Sequence, residues 1–465
     1  MNQNMNKEQK KLGFFSTTTM AIGGIVGAGV FGTIPAAAAM VGTGIEWAYV
    51  IAFLAMIVSY LPQMVTISTL PSPFTNYMHA SRLVNPVIGY IPVISGFNYV
   101  FILSALAGVF AEYAGVYIPI DHRILAVCAL AIFAFITTRG VQANALVQNI
   151  MVISLFAALF LYMILGMPEI KSEYLTFSDI IAPKNISLVA MGSAVVLLSS
   201  SLQGAVSVAF YADEIKNPGK TVPRVFVIAT GVCCLTFMLV STITIGVLPL
   251  DQVTSLLDVA KVVLSPALYN FFILAGAIFA VLTSLNGVFI AGGHVGSTTA
   301  DDKVMPEWFG RRNSHKVPHN TVWLLAVVSA LLVVSGFPIG TLLTAFSMLN
   351  LFVLLILFVP ALRVKKLYPH SFHHASFKMP LGLIAVMTVF GVAVCIWQLI
   401  STCITLDTRM IVTIIIWYAL WYSFYFVRRW RLKTQGFDLD QQMRTPYPEW
   451  VKKESELADQ DSGEN

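Results

Sequence analysis

The stretch "GGIVGAGVFG", residues 23–32, contains five glycines within ten residues and is open to three interpretations. Gly27, Gly29 and Gly32 match G-x-G-x-x-G, the pattern with which dinucleotide-binding folds hold phosphates, and an acidic residue follows at a suitable distance. Gly23 and Gly27 match G-x-x-x-G, a helix-packing pattern of membrane proteins. The same glycines also fit a membrane helix that is interrupted in its middle, where freed backbone groups bind a ligand.

The composition of the chain favours the two membrane interpretations. Of its 465 residues, 57% are hydrophobic and 11% are charged, whereas soluble domains have about 25% charged residues. Long stretches carry almost no charge, which excludes an ordinary soluble enzyme. The net charge of +5 reflects membrane topology rather than nucleic-acid binding.

The five cysteines lie in or beside apolar segments and show no C-x-x-C spacing. We therefore expect them to pack as small apolar side chains, without a disulfide or a metal site. The sequence predicts no cofactor. Three lysines of the N-terminal arm precede an apolar run that is too long for a signal peptide, so we expect no cleavage there.

Apolar segments of about 20 residues are typical of transmembrane helices. The sequence has twelve such segments, which we place at 14–40, 45–67, 86–112, 123–138, 145–166, 188–211, 224–248, 266–295, 321–336, 339–361, 380–402 and 410–427. The sequence therefore predicts an all-α polytopic membrane protein with twelve transmembrane helices and both termini on one side. Residues 1–13 form an N-terminal arm, and residues 428–465 form a polar tail that we expect to be solvated and partly disordered.

The distribution of basic residues sets the orientation. With the N-terminus inside, 23 of the 28 lysines and arginines face the cytoplasm, and five lie outside, in agreement with the positive-inside rule. We therefore expect both termini to be cytoplasmic. The predicted location is the cell membrane, of the bacterial inner-membrane type.

This context decides how the opening stretch is interpreted. A nucleotide fingerprint needs a preceding strand and a soluble helix, and the flanks "FFSTTTMAI" and "TIPAAAAMV" lie inside a membrane segment. Helix packing accounts for Gly23, but not for three further glycines and Pro35 within nine positions, since each weakens a helix. An interrupted helix is tolerated where it lines a watery cavity. There its free N–H groups suit a carboxylate, and its carbonyls suit an ammonium or a cation.

The chain resembles the amino acid-polyamine-organocation superfamily of transporters. "GGIVGAGVF" is similar to the Gly-Ser-Gly-Ile-Phe signature of its first helix, with Ala28 and Val30 in place of Ser and Ile. "ADEIKNPGKTVPR", residues 212–224, resembles the loop that follows its sixth helix. Further loops, "TTRGVQANALVQN", "VMPEWFGRRNSHKVPHNT" and "PHSFHHASFKMP", also resemble the family. The resemblance covers the chain up to Arg428.

The resemblance implies a leucine-transporter-type architecture of two inverted five-helix repeats, at 14–166 and 188–361, with two further helices at 380–427. It also implies discontinuous first and sixth helices, with the substrate between them. In the sixth helix, "SSSLQGAVS" holds Gly204 where the family interrupts the helix, although a packing glycine is the alternative. The implied substrate-binding residues are Ile25, Gly27, Ala28, Gly29, Val100, Ser104, Ser201, Gln203 and Gly204.

Departures from the family bear on the substrate. Relatives that exchange basic amino acids often carry an acid after the glycine of the sixth helix, where this chain has Val206 and Ser207. The lysine that some proton-coupled relatives carry in the fifth helix is Ser154 here, and a common Ser-Arg pair is Gly293-His294. Because the central helices lack charge, we expect a neutral, zwitterionic substrate. An acidic substrate that hydroxyl groups bind is the alternative.

Several polar residues have two interpretations. Thr283 and Ser284 could supply oxygen ligands to sodium, although hydroxyls more often bond to their own helix. We interpret Glu112 as an interfacial carboxylate rather than a proton relay, and His294 as an interface histidine rather than a proton sensor. His370, His373 and His374 share one loop, which we expect to be solvated rather than metal-binding.

The predicted function is a secondary transporter for small amino acids that works by alternating access, as an exchanger or a proton symporter. The alternative is an antiporter of amino acids and amines with a cationic or acidic substrate. A channel or a membrane enzyme is disfavoured, since the sequence lacks filter repeats and interfacial catalytic clusters. The expected partners are a small amino acid or amine, the lipid bilayer and, where coupling requires it, protons. A homo-oligomer is compatible with the sequence, and nucleic acid is not expected.

Overall fold

The computed structural model describes residues 11–181 and 187–463, with only the backbone at a few positions that include residues 27–29. Within these ranges nine helical stretches are long and apolar enough to cross a membrane, and three shorter apolar helices accompany them. The prediction of an all-α polytopic membrane fold is therefore confirmed. One isolated parallel bridge joins Leu12 to Ile215.

The first six spanning helices, α1 to α6, follow the predicted segments closely, and three of them are divided. Gly32 divides α1, Asn98 divides α3, and α6 changes from α-helix to 3-10 helix. Their bounds are α1 Phe14–Phe31 with Thr33–Val41, α2 Ile45–Thr69, α3 Pro86–Phe97 with Tyr99–Ala114, α4 His122–Thr137, α5 Val141–Gly166, and α6 Leu188–Leu202 with Gln203–Glu214.

The second six, α7 to α12, are longer than the predicted apolar segments at most of their ends. A π-helical stretch, Phe272–Ile278, interrupts α8. Their bounds are α7 Pro218–Val247, α8 Pro266–Phe271 with Phe272–Ile278 and Phe279–Asp301, α9 His319–Val334, α10 Ile339–Leu367, α11 Leu381–Thr405, and α12 Thr408–Thr434.

Local capping sets where several of these helices begin. The side chain of Asn85 accepts a hydrogen bond from the backbone N–H of Val87, and Pro86 occupies the first helical position. Asp121 caps α4 through Arg123 N–H in the same way. Each cap satisfies one backbone donor that a helix start leaves free.

Two glycines bring α1 and α6 into direct backbone contact. A Cβ atom built on Gly204 would lie 2.2 Å from the carbonyl carbon of Gly24, and one built on Gly24 would lie 3.3 Å from the carbonyl oxygen of Gly204. Real Cβ atoms do not approach other atoms at the shorter distance. The crossing therefore requires glycine at position 204.

Helix α8 packs against α9 through small residues. A Cβ atom on Gly296 would lie 2.0 Å from Thr321 Oγ1, and one on Gly292 would lie 2.3 Å from a methyl carbon of Leu325. The hydroxyl of Thr321 donates to the carbonyl of Phe309 at 2.8 Å. These contacts hold α8 and α9 closely together.

We call the face that carries residues 11–13 and the tail helices Leu439–Arg444 and Pro448–Gly463 the terminal face. A buried ion pair lies there, between Arg82 of the connecting helix Thr75–Leu83 and Asp302 at the end of α8. Arg82 Nη2 lies 2.7 Å from Asp302 Oδ2 and 3.0 Å from Oδ1, and Tyr77 donates its hydroxyl to Oδ2 at 2.7 Å. The pair ties the segment between α2 and α3 to α8.

The tail is folded onto the terminal face, so the expectation of a solvated and partly disordered segment is wrong for its described residues. Trp450 is 1% exposed and donates its indole N–H to the carbonyl of Pro71 at 3.1 Å. Its ring contacts His79, Tyr368 and Tyr447. Trp450 thus provides a buried aromatic anchor for an otherwise polar helix.

Burial around this anchor changes the protonation of two groups. Burial lowers the pKa of His79 to about 4, and its Nε2 donates to the carbonyl of Leu70 at 2.9 Å. Burial also lowers the pKa of Lys453, whose ammonium donates to the carbonyl of Thr69 at 3.0 Å. His79 of the socket and Lys453 of the tail thus both contact the C-terminal end of α2.

The histidine loop contacts the tail instead of being fully solvated as predicted. His370 Nδ1 lies 2.6 Å from Asp461 Oδ2, and His374 Nε2 lies 2.9 Å from Oδ1. These hydrogen bonds hold the pKa of Asp461 below its ordinary value. Glu454 accepts from the backbone N–H groups of His370 and Ser371 at 3.0 and 2.8 Å. Two of the three histidines of this loop are therefore engaged by one carboxylate of the tail.

We expect Trp450→Ala to release the helix Pro448–Gly463 from the terminal face. The substitution removes the buried ring and its hydrogen bond, at a cost of about 3–5 kcal/mol for a large aromatic residue. Limited proteolysis should then cleave the tail at least tenfold faster, since an opening energy of this size exceeds one decade in population. The exposed Trp430 offers a matched control, Trp430→Ala. Equal cleavage rates in wild type and Trp450→Ala would contradict the anchoring role.

Candidate functional site

A cavity of about 90 Å³ lies where α1, α6, α8, α3 and α10 meet. Its walls are apolar and aromatic, with hydroxyl and amide groups among them. The lining residues are Gly24, Ile25, Tyr60, Asn76, Tyr99, Ile102, Leu106, Ser201, Gln203, Gly204, Val206, Ser207, Phe210, Ser284, Gly287, Val288, Phe346 and Asn350. None of these lining residues carries a charged side chain.

Four of the predicted site residues line this cavity. Ile25 comes from α1, and Ser201, Gln203 and Gly204 come from the point where α6 changes from α-helix to 3-10 helix. The hydroxyl of Ser201 donates to the carbonyl of Leu198 at 2.6 Å. The change of helix type at Gln203 alters which backbone groups are paired, as expected for a ligand-facing break.

The other predicted residues of α1 lie further along the helix. Gly27, Ala28 and Gly29 are inside the helix Phe14–Phe31, and their side chains lie outside the described part of the structure. The division of α1 lies at Gly32, which has φ −100° and ψ −30°, instead of at residues 27–29. Gly27 and Gly29 thus do not divide the helix, whereas Gly32, the third glycine of the pattern, does.

In α3 the structure turns a different face toward the cavity. Tyr99, Ile102 and Leu106 line it, whereas Ser104 donates to the carbonyls of Val100 and Ser329 at 2.6 and 3.0 Å. Val100 and Ser104 therefore lie against α9. One residue rotates an α-helix by about 100°, so an offset of one position exchanges these two faces.

Sequence reasoning missed polar residues of the cavity that come from three further segments of the chain. Tyr60 comes from α2, Asn76 from the connecting helix, and Asn350 from α10. Asn350 accepts from the Ser95 hydroxyl at 3.2 Å and donates to the carbonyl of Phe346 at 3.1 Å. An amide inside an otherwise apolar helix was the available signal for Asn350, because such groups are costly in a membrane.

The hydroxyls of α8 reach the backbone of α1 beside the cavity. Thr283 and Ser284 donate to the carbonyl of Gly23 at 3.1 and 2.8 Å, and Thr283 also donates to Ala280 of its own helix at 2.7 Å. These oxygen groups are engaged with backbone carbonyls. Their arrangement fixes α8 against α1 at the level of the Gly24–Gly204 crossing.

A larger space, which we call the vestibule, opens on the terminal face. Its volume is about 1020 Å³, and its walls include Glu214, Phe289, Ile290, His294 and Thr298. Val288 lines the cavity while Phe289 and Ile290 line the vestibule. The two spaces are therefore neighbours along α8, where the consecutive residues Val288 and Phe289 line one each.

A family model of amino acid permeases matches residues 12–420. The chain belongs to the amino acid permease family. The match spans every helix that lines the cavity, and the family consists of transporters, so the permease is not an enzyme. Its resemblance to the amino acid-polyamine-organocation superfamily is likewise confirmed.

Relatives cover most of the permease at low identity. A methylthioribose transporter of Bacillus subtilis is 23% identical over 90% of the permease and 93% of its own length. A branched-chain amino acid permease of the same organism is 24% identical over 70% of the permease and 74% of its own length. An uncharacterised protein of Methanocaldococcus jannaschii is 26% identical over 66% of the permease and 72% of its own length.

Proposed function

We propose that the permease carries neutral, zwitterionic amino acids across the membrane by alternating access, as an exchanger or a proton symporter. The observation that carries the proposal is the lining of the cavity, in which hydroxyl, amide and aromatic groups surround the space and charged side chains do not contribute. A buried site without a countercharge disfavours a net charge on the ligand. The branched-chain permease among the relatives supports this substrate class.

The proposed binding mode uses the backbone near the crossing of α1 and α6. The change of helix type at Gln203 would leave backbone groups of α6 available for a carboxylate and an ammonium. Ile25, Ser201, Gln203 and Gly204 would contact the backbone end of the substrate, and Ile102, Leu106 and Phe346 its side chain. Binding of the substrate carboxylate by Gly27, Ala28 and Gly29 stays a prediction.

We expect neutral amino acids to compete for transport more strongly than charged ones. The measurement is counterflow in proteoliposomes, with leucine, alanine, arginine, agmatine and glutamate as competitors of a labelled neutral amino acid. An unpaired charge in the cavity should weaken competition at least tenfold, since burying it costs more than about 1.4 kcal/mol. Tight competition by arginine or agmatine, with none by neutral amino acids, would show that the amine antiporter is the correct alternative.

One relative favours a second candidate, an uncharged polar solute. The methylthioribose transporter covers nearly the whole permease, and Tyr60, Asn76, Gln203 and Asn350 offer hydroxyl and amide groups to such a solute. Methylthioribose belongs in the same counterflow panel for this reason. Competition by methylthioribose without competition by any amino acid would select this candidate.

We also propose that the terminal face is cytoplasmic, in a bacterial inner membrane, because 23 of the 28 lysines and arginines fall on that side. Residues 14–166 and 188–361 would form the two inverted repeats, followed by α11 and α12. A homo-oligomer is compatible with this arrangement.

Labelling of single cysteines from outside the cell should distinguish the two faces. An impermeant reagent is expected to modify Ser172→Cys, in the loop after α5, and not Ser314→Cys, in the loop after α8. Permeabilised cells provide the control that both positions react. The orientation is wrong if Ser314→Cys reacts in intact cells and Ser172→Cys does not.

A further inference from the structure

A histidine–carboxylate pair joins α6 and α8 at the wall of the vestibule. His294 Nε2 lies 3.2 Å from Glu214 Oε1, and their side chains are 15% and 36% exposed. His294 comes from the middle of Phe279–Asp301, and Glu214 ends the 3-10 helix Gln203–Glu214. The pair therefore connects the half-helix that leaves the cavity to the helix that lines both spaces.

The two partners are anchored to different parts of the molecule. On one side, the carbonyl of Glu214 accepts from Leu12 N–H at 2.8 Å, and Lys216 N–H donates to Leu12 at 2.9 Å, so this end of α6 is bound to the segment that leads into α1. On the other side, the neighbouring Gly293 lies against Pro318, where a Cβ atom would be 3.3 Å from the ring. His294 is thus held with α9, and Glu214 with α1.

The other charges of the vestibule are divided between ion pairs and cations. Asp301 is paired with Arg312 at 3.2 Å, and Asp302 with Arg82 at 2.7 Å. The remaining basic residues of the wall are Lys11, Arg139, His315 and Lys316, and Tyr447 is a further titratable one. The lysines and the arginine oppose a positive charge on His294, whereas Glu214 favours it. Glu214 therefore stabilises a proton held at this position.

We propose that His294 and Glu214 form a proton-binding gate between the cavity and the vestibule; the proposal rests on the proposed transport function. A proton on His294 gives an imidazolium whose Nε2–H donates to the carboxylate, and such charge-assisted bonds are about twice as strong as neutral ones. This bond holds the end of α6 against α8. In the structure the bond is formed, and the cavity and the vestibule are separate spaces.

Loss of the proton weakens the bond and permits α6 to move away from α8. The path from the cavity to the terminal face then opens. By linkage, a conformation that favours the protonated pair is itself favoured by protons. The pair thus provides a site at which proton binding and the direction of access depend on each other.

Cysteine labelling in vesicles that expose the terminal face tests the gate without substrate. The background has alanine at the five native cysteines, two of which are exposed. Val288→Cys reports access to the cavity and Ser314→Cys reports access to the vestibule, where position 314 is exposed. The quantity measured is the ratio of their modification rates by an impermeant methanethiosulfonate, which cancels the effect of pH on thiol reactivity.

The ratio for Val288→Cys over Ser314→Cys should fall about fivefold between roughly pH 7.5 and pH 5.5, across the ordinary titration range of histidine. With His294→Gln or Glu214→Gln it should not depend on pH. A constant ratio in the parent, or a pH dependence that persists in both variants, would overturn the gate. The labelling needs no substrate. If no amino acid competed in the counterflow assay, the proposed function would be wrong, and this labelling result would be unaffected.

Discussion

Replacing Gly204 with alanine is expected to abolish transport and to lower the stability of the folded permease. The added methyl group would lie 2.2 Å from the carbonyl carbon and 2.4 Å from the carbonyl oxygen of Gly24. These are backbone atoms, so the contact cannot be relieved by a side-chain rotation. Overpacking in a close-packed interior costs about 1–3 kcal/mol and at times more. Thermal unfolding in detergent and counterflow in proteoliposomes measure the two effects.

Gly340→Ala is the matched control, because nothing lies within 4 Å of a Cβ atom at that position of α10. In an open helical position alanine is more favourable than glycine by about 1 kcal/mol, so this variant should be at least as stable as wild type. If Gly204→Ala had wild-type stability and transport, α1 and α6 would have to cross elsewhere.

Replacing Arg82 with alanine should lower the free energy of unfolding by about 3–5 kcal/mol, the cost of leaving one member of a buried ion pair without its partner. The side chains of Arg82 and Asp302 are 5% and 11% exposed. In the variant Asp302 retains the hydroxyl of Tyr77 and, at 3.5 Å, the amide of Gln442. Neither group supplies the lost positive charge.

The exposed pair of Arg312 and Asp301 gives a direct comparison in the same vestibule. Its side chains are 52% and 68% exposed, and exposed pairs contribute about 0–1 kcal/mol. Arg312→Ala should therefore unfold at nearly the same denaturant concentration as wild type. Similar losses of unfolding free energy in both variants would mean that the Arg82–Asp302 pair contributes no more to stability than an exposed pair.

The spanning helices could be predicted because the length of an apolar run is a local property. The segment predicted at 45–67 forms Ile45–Thr69, and the one at 339–361 forms Ile339–Leu367. Helix α10, Ile339–Leu367, continues past its apolar run over Lys365 and Lys366. Hydropathy locates the membrane-embedded part of a helix, whereas the helix itself continues into water.

The candidate site could be predicted only in part. Ile25 lies in a glycine-rich stretch whose composition points to a break, Gly204 lies where the family resemblance implies one, and both residues line the cavity. The rotation of α3 about its axis has no comparable signal, since Tyr99 and Val100 are adjacent residues of one hydrophobic segment. Which of them faces the cavity depends on packing against α9, and packing is not visible in one apolar sequence.

Docking of the tail could not be predicted from the local sequence for a related reason. The segment around Trp450 is rich in charge, which is typical of a solvated chain. Its socket is formed by Pro71, His79 and Tyr368, which are remote in sequence. Burial of the Trp450 ring then stabilises the docked tail, although most residues around it in the sequence are polar.

The π-helical stretch Phe272–Ile278 affects how α8 can vary in length. In a regular α-helix, inserting or deleting one residue rotates everything beyond it by about 100°, which would turn Thr283 and Ser284 away from the carbonyl of Gly23. A π-turn holds one residue more than an α-turn, so deleting a residue here tightens the turn without rotating the segment beyond it. Single-residue deletions in α8 should therefore be tolerated at this stretch and not between it and the vestibule.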